Sequence, residues 1–384
     1  MSGPVPEVGV GIVGYGIMGR AHAYAYAAAP RIRDLPCRPR LRVMSGRDAD
    51  AVAQAARRCG VERSASDWRA VVEDPAVDIV DVCTPPGTHA EIVAAVAAAG
   101  KAVLCEKPLA ADYRDAARAV DAVRKAGVPN AIGFNYRRLP ALALMQRMTA
   151  EGRVGEPLLL RASFLSDEFL DPTIPFDWRF ERAMGGTTIS DLGAHLVDFA
   201  LWMVGDIVEV SAQSQTFTAE RPEAGAGAGP GAPRAVEVDE ASSALVSFAC
   251  GARGTLEMAR TCARRPCDFS VEVNGTTGTL RFEYGNLNEL SYGDATEPGE
   301  LYGMRRIRAE HESHPYAAQW WPIGQGVGYD ASFVNQVADH LERWPDGDWT
   351  PDLETGLRVQ AVCEAMERSA AERRWVGVAE VTGA

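Results

Sequence analysis

The sequence has no apolar run near the ~20 residues that cross a bilayer, so a membrane-spanning helix is not expected. Its first residues, Met1 to Glu7, lack the basic-then-apolar order of a signal peptide, which makes a cytoplasmic protein the expectation. Positive charge is the scarcer sign: 39 Lys and Arg against 52 Asp and Glu leave a net charge of −13. A phosphate backbone would be repelled, so no nucleic-acid partner is expected. The cysteines at 37, 59, 83, 105, 250, 262, 267 and 363 include no C-x-x-C pair, and no His-x-x-x-His companion points to zinc. They read as reduced packing residues, and no metal is expected. There is no internal repeat. What is present is ordinary globular material: 384 residues, 47% hydrophobic and 24% charged, enough for two domains with ample core.

The chain is organised around Cys105-Glu106-Lys107-Pro108-Leu109. The apolar run Ala102-Val103-Leu104 reads as a buried strand, which leaves Glu106 and Lys107 at its carboxyl end. Ligands of open parallel sheets bind beyond the carboxyl ends of the strands. Pro108 disfavours helix at Lys107 and permits a cis Lys-Pro bond. Taken alone, the stretch is equally a solvated lysine in a strand-to-helix loop.

Val8 to Val13 is an apolar strand that runs into Gly14-Tyr15-Gly16-Ile17-Met18-Gly19, and an alanine-rich helix follows over Arg20 to Ala29. This is G-x-G-x-x-G in its strand-to-helix context. Gly14 allows the tight turn, Gly16 lets a pyrophosphate approach the backbone, and Gly19 lets helix and strand pack closely. The dinucleotide should lie against Gly16, Ile17 and Met18, where the helix N-terminus offers free N–H groups. Leu41 to Ser45 is the second strand. Gly46 stands where an acid for the ribose 2′-hydroxyl is usual. Arg47 either meets a 2′-phosphate or stacks beside the adenine or faces solvent, and Asp48 can reach the ribose one turn later. NAD and NADP both stay open on these residues.

Further helices are expected over Asp50–Arg58, Arg69–Glu73 behind a Ser66-Asp67-Trp68 cap, Ala90–Ala99 behind a Thr88 cap, and Asp115–Lys125. Strands are expected over Ile79–Cys83 and Val128–Phe134. Strand–helix alternation implies parallel βαβ units, so residues 1–134 read as an α/β Rossmann domain. From 135 onwards the texture changes. A helix over Pro140–Glu151 precedes strands at 158–166, 207–218, 237–248, 254–259, 269–274 and 278–282, with few helices between them. Residues 135–384 therefore read as an α+β domain with a large open mixed or antiparallel sheet. The Gly-, Ala- and Pro-rich stretch Ala219–Ala235 reads as a mobile loop, and residues 284–329 show little period.

Ser190-Asp191-Leu192-Gly193-Ala194-His195 opens a helix expected over Ile189–Met203, preceded by Gly185-Gly186. Asp191 and His195 are four apart and share a helical face. A histidine on a helix is more often a packing residue than a catalyst. An Asp one turn earlier can orient the imidazole and raise its basicity, which favours chemistry here.

Together, Gly14-Tyr15-Gly16-Ile17-Met18-Gly19, Thr84-Pro85 with His89, Glu106-Lys107-Pro108, and Gly185-Gly186 with Asp191 and His195 resemble the Gfo/Idh/MocA family of nicotinamide-dependent sugar and cyclitol dehydrogenases. The resemblance runs over essentially the whole chain. It implies cofactor contacts at Gly14, Gly16, Ile17, Met18, Gly19, Gly46, Arg47, Thr84, Pro85, His89, Glu106 and Lys107. It tilts the cofactor towards NAD and implies a homodimer or homotetramer in which second-domain sheets pair between subunits. The family's catalytic residues fall on Lys107, Asp191 and His195. More narrowly, His314-Pro315-Tyr316, Trp320-Trp321-Pro322, Asn135-Tyr136-Arg137-Arg138 and Trp178-Arg179-Phe180 are similar to the levoglucosan dehydrogenase branch, whose members resemble enzymes oxidising C3 of a glucose-type ring.

That resemblance implies oxidation of a secondary hydroxyl of a sugar, glycoside, aminoglycoside precursor or cyclitol. Substrate contacts are expected from Lys107, Asn135, Arg137, Trp178, Arg179, Asp191, His195 and Trp320. His195 is the expected base and Lys107 the charge that stabilises the developing alkoxide, although the two roles can be exchanged. An NAD-dependent redox glycosidase and a non-enzymatic nucleotide-sensing protein are the rival readings. The first would cleave a glycoside without accumulating NADH; the second would show no turnover on any polyol.

Overall fold

The apolar runs of the first third become strands buried on both faces. The structure is a computed structural model and describes residues 5–224, 231–345 and 347–383. Strands β1 (Glu7–Val13), β2 (Arg38–Ser45), β3 (Arg63–Ala65), β4 (Ile79–Val82), β5 (Ala102–Cys105) and β6 (Asn130–Ile132) form one sheet in the order β3-β2-β1-β4-β5-β6. Each pairing in it is parallel, as the βαβ alternation implies. Continuous apolar runs are what a sheet covered on both faces requires, and every residue of β4 and β5 is buried. The connecting helices are α1 (Ile17–Ile32), α2 (Ala49–Cys59), α3 (Arg69–Val72), α4 (His89–Ala98) and α5 (Tyr113–Ala126). The strand order reverses between β1 and β4, the crevice in which such sheets bind dinucleotides.

The chain divides into two compact units that do not follow chain order. The first contains the residues up to Ala110, Arg114–Arg138 and Val327–Leu357; the second contains Ala111–Tyr113, Leu139–Gly326 and everything from Arg358 onwards. The stretch expected as a second domain, 135–384, thus gives 135–138 and 327–357 to the first unit. The reason is helix α8 (Asp330–Glu342), which packs along α1. Phe333 lies 5.4 Å from the His22 ring, and Arg33 donates to Asp339 at 2.7 Å. Partners some three hundred residues apart leave no local signature.

The second unit carries helices α6 (Pro140–Ala150) and α7 (Ala194–Met203), most of helix α9 (Leu353–Glu372), and two sheets. Strands β7 (Pro157–Leu165), β8 (Ile207–Gln215), β11 (Ala241–Phe248), β12 (Arg253–Ala259), β13 (Asp268–Gly275), β14 (Gly278–Glu283), β15 (Glu289–Asp294), β16 (Arg305–Arg308) and β17 (Val376–Gly377) build a mixed sheet. Its order is β16-β15-β14-β13-β7-β12-β11-β8-β17, with β7 and β12 parallel and the other pairs antiparallel. Residues alternate between buried and exposed along β12, and between buried and half-buried along β13, so one face is core and the other is open. Arg161, Gln213, Leu245 and Glu272 line the open face.

Two stretches of this unit differ from the sequence reading. β15 and β16 lie in the stretch that showed little period. β16 is an edge strand of the composition Arg-Arg-Ile-Arg, so it has no apolar alternation to detect. The stretch read as a mobile loop holds β9 (Glu220–Pro222) and β10 (Pro233–Ala235), an antiparallel ribbon. The buried guanidinium of Arg221 anchors it to the carbonyls of Phe169 and Asp171 at 2.6 and 2.7 Å and to Glu240 at 3.0 Å. Residues 225–230 of that stretch lie outside the described residues.

Candidate functional site

In the first unit, the glycine turn has the geometry its sequence implies. Gly14 has φ +112°, and a Cβ there would sit 2.6 Å from the Cys83 carbonyl oxygen. A Cβ on Gly19 would stand 2.0 Å from the Gly14 carbonyl oxygen, which is the close helix–strand approach. A Cβ on Gly16 would meet nothing within 4 Å, so the backbone there is open to an approaching group. Helix α1 has no side-chain cap and no acid in its first turn, leaving its N–H groups and its positive dipole end for an anion. These residues fit a dinucleotide pyrophosphate.

At the end of β2, the Tyr15 ring occupies the space above Gly46, and a Cβ on Gly46 would lie 2.0 Å from it. The missing acid is therefore also a packing requirement. Asp48 caps α2, its Oδ1 accepting from the N–H groups of Asp50 and Ala51 at 3.1 and 3.0 Å. That bond commits one carboxylate oxygen of Asp48 to the helix. Arg47 is exposed.

Thr84, Pro85 and His89 follow β4, and Glu106 and Lys107 follow β5. The His89 ring joins the two loops, with Nδ1 at 3.0 Å from the Pro108 carbonyl and Nε2 at 2.7 Å from that of Thr84. Burial lowers its pKa, against the opposing pull of those carbonyls. Thr88 does not cap α4; its hydroxyl donates to the Pro85 carbonyl at 2.8 Å, because a 3₁₀ turn over Pro86–Thr88 precedes the helix. The Lys107-Pro108 bond is cis, as the Pro108 position allows.

Beneath Lys107 lies a cluster that the sequence reading missed. His22 on α1 is fully buried between two carboxylates, with Nδ1 2.8 Å from Asp81 Oδ2 and Nε2 2.9 Å from Glu106 Oε1. The other oxygen of Glu106 accepts from the Lys107 backbone N–H at 3.2 Å. Both ring nitrogens donate only if the ring is an imidazolium. Burial is the largest influence and opposes that charge, but the Asp81 carboxylate, together with Cys83, raises the His22 pKa on balance well above the ordinary range. Burial pushes the neighbouring Cys83 thiol up, so it stays protonated. The available signals were a polar residue on the buried face of α1 and an Asp inside the apolar run Ile79–Val82.

Asn135 and Arg137 belong to the 3₁₀ turn Asn135–Arg138 of the same unit. Asn135, expected at the substrate, is buried and donates to the Ser332 hydroxyl of α8 at 2.8 Å.

In the second unit, Asp191 lies in a π-helical turn, Ile189–Gly193, and His195 in the α-helix proper, where one uninterrupted helix was expected. Wide turns of this kind recur at functional sites. A Cβ on Gly193 would lie 3.0 Å from Met258 Sδ, so glycine lets the turn pack against β12. His195 is buried, 6.2 Å from the Phe164 ring. The Arg179 guanidinium stacks 4.5 Å from the Trp178 ring. Trp320 belongs to a separate segment, beside Trp321 at 6.2 Å.

A parallel sheet of this order with this glycine turn defines a dinucleotide-binding unit, and the larger mixed sheet completes a two-unit oxidoreductase architecture. Residues 8–134 match the oxidoreductase family with an NAD-binding Rossmann fold, and residues 142–281 match the GFO/IDH/MocA C-terminal domain. The chain belongs to the Gfo/Idh/MocA family of oxidoreductases. Levoglucosan dehydrogenase of Pseudarthrobacter phenanthrenivorans is 35% identical to it over 388 residues, covering 98% of this chain and 99% of that protein. A solved levoglucosan dehydrogenase in complex with NADH and L-sorbose has a TM-score of 0.93 at 35% identity, covering 97% of this chain and 99% of that one. An oxidoreductase domain protein from Kribbella flavida has the same TM-score, 0.93, at 41% identity, with coverage of 97% and 99%.

Proposed function

We propose that the protein is a cytoplasmic dehydrogenase that oxidises one secondary hydroxyl, at C3, of a sugar, glycoside, aminoglycoside precursor or cyclitol. The carrying observation is that the chain keeps Lys107 after β5, and Asp191 with His195 at the head of α7, within a fold shared along its length with levoglucosan dehydrogenase. The nicotinamide cofactor, when bound, accepts the hydride from the ring carbon. His195 takes the hydroxyl proton, and the Lys107 ammonium stabilises the oxygen as negative charge develops. Asp191 orients the substrate or the imidazole. The balance is secondary alcohol plus oxidised cofactor to ketone, reduced cofactor and one proton.

NAD is the proposed cofactor. Solved complexes of levoglucosan dehydrogenase contain NADH, and the Tyr15 ring fills the space above Gly46, where an acid for the ribose 2′-hydroxyl is usual. The protein is proposed to form a homodimer or homotetramer through the open face of the mixed sheet, where Leu245 is 52% exposed. Light scattering at micromolar concentration tests that assembly.

The deciding experiment presents sugars, glycosides, aminoglycosides and cyclitols with NAD or NADP and follows the absorbance of reduced cofactor. Turnover with a pyranose or cyclitol, with NAD bound more tightly, supports the reading. A tenfold tighter Kd for NADP, ~1.4 kcal/mol, reverses the cofactor assignment. Glycoside cleavage without accumulation of NADH overturns the net reaction.

A further inference from the structure

Arg260 follows β12 directly, and its side chain is almost wholly enclosed. Its Nη1 donates to the carbonyls of Arg179 at 3.1 Å and Gly186 at 2.9 Å. Its Nη2 donates to the Thr187 carbonyl at 3.0 Å and to Asp191 Oδ2 at 3.2 Å. One guanidinium therefore gathers the segment that carries Trp178 and Arg179, the Gly185-Gly186 turn, and the carboxylate of the π-helical turn. A Cβ on Gly186 would lie 2.6 Å from the Arg179 carbonyl, so glycine brings the two carbonyl acceptors close enough for one nitrogen to serve both.

Burying a cation costs several kcal/mol unless a counter-charge and hydrogen bonds offset it. A loop staple alone needs no charge, since a neutral donor satisfies carbonyls. Arg260 spends part of its planar fork on a carboxylate, and that carboxylate is the one placed at the head of α7. The exposures give the contact a direction: the side chain of Arg260 is 1% exposed and that of Asp191 is 15%. The guanidinium grips Asp191 from the core side and leaves an accessible side to the carboxylate. Three further charged groups, Glu168, Arg179 and Asp177, act in the surroundings of this pair. Burial raises the pKa of the Glu168 carboxyl, Asp191 adds to the rise, and Arg179 and Arg260 oppose it. Asp191 thus sits beside another carboxylate, and Arg260 supplies charge that offsets their repulsion.

We propose that Arg260 is a positioning residue of the dehydrogenase reaction. It acts through Asp191, which it holds in one orientation, and through the Trp178–Thr187 segment, whose carbonyls it fixes. The inference rests on the catalytic reading of Asp191 given above. It adds a residue that touches neither the reacting hydroxyl nor the cofactor.

The test compares Arg260→Lys, Arg260→Met and Asp191→Asn in the full-length protein, with turnover, KM, NAD affinity and unfolding midpoint measured for each. Lysine keeps the charge but not the fork, and methionine keeps neither. Arg260→Met is expected to lower kcat roughly 10²-fold, with NAD affinity unchanged because the glycine turn is untouched. Arg260→Lys is expected to recover about a tenth of native kcat. In an Asp191→Asn background, the further loss from Arg260→Met should be small, since both changes remove one function. A purely structural role would lower the midpoint in both Arg260 variants while the folded protein kept native kcat, and that result overturns the inference. If Arg260→Met is insoluble, Arg260→Lys decides alone: native kcat with a lowered midpoint is the overturning outcome. A fully active Asp191→Asn enzyme overturns the catalytic reading itself, whereas an impaired Asp191→Asn beside an unimpaired Arg260→Met removes only the role of Arg260.

Discussion

The two units hold their candidate site carboxylates with different cations. In the first, Glu106 is gripped by the imidazole of His22 at 2.9 Å; in the second, Asp191 is gripped by the guanidinium of Arg260 at 3.2 Å. Both cations are buried. A guanidinium keeps its charge at any pH a protein survives, whereas an imidazolium keeps it only while its surroundings hold the proton. In the second unit Arg260 bonds one carboxylate, that of Asp191. In the first, His22 lies between two carboxylates, and Asp81 is the carboxylate that raises its pKa. The difference teaches that a titratable residue can serve as a fixed charge when the fold supplies enough opposite charge around it.

The largest expected effect sharpens the comparison by testing one residue from each unit. Lys107→Ala and His195→Ala should each lower kcat by roughly 10²-fold or more. Both should bind NAD with native affinity, because neither change touches the glycine turn. The double variant should lose less than the product of the two, since both groups act on one hydroxyl proton. A fully active Lys107→Ala enzyme would defeat the mechanism.

A middle-sized effect addresses the imidazolium. His22→Leu leaves Asp81 and Glu106 buried without their partner, and urea unfolding should show a loss of ~3–5 kcal/mol. The pKa of His22 is raised by folding, so its stabilisation is complete below the ordinary imidazole range and is lost as pH rises through the raised value. Nitrogen-15 spectra of histidine-labelled protein should therefore show His22, assigned by its absence from the variant, still doubly protonated at pH values above the ordinary imidazole range. Deprotonation between about pH 6 and 7 would break the contrast with Arg260, because His22 would then be an ordinary histidine.

The smallest effect supplies the exposed reference. Arg374 makes a two-pronged contact with Glu380, at 3.0 and 2.7 Å, on the surface of the second unit. The Arg374 bonds, and then the Gly377 N–H, lower the Glu380 pKa to about 2. A depressed carboxylate contributes stability above its unfolded value and loses it as pH falls through the folded one. Glu380→Gln should therefore lower the melting temperature by only ~1 °C near neutral pH. The gap should close as the pH falls towards about 2. A larger gap would mean that exposed and buried pairs in this protein do not differ as argued.

The sequence by itself determined the elements whose cause is local. The parallel sheet followed from continuous apolar runs separated by helices. The cofactor turn followed from three glycines whose positions each answer a steric demand within a few residues. The catalytic candidates were legible because their motifs are short and contiguous: Glu106-Lys107-Pro108, and Asp191 with His195. Tertiary structure decided everything whose partner is distant in the chain. Helix α8 joins the first unit because its face fits α1, and neither helix states this alone. His22 gained its raised pKa and its two carboxylate partners because β4 and β5 bring Asp81 and Glu106 to its two nitrogens, at separations of 59 and 84 residues. Arg260 became a clamp because β12 ends beside a turn 69 residues earlier in the chain. A side chain's type is written in the sequence, but its charge state and its partner depend on which groups the fold brings within hydrogen-bonding distance.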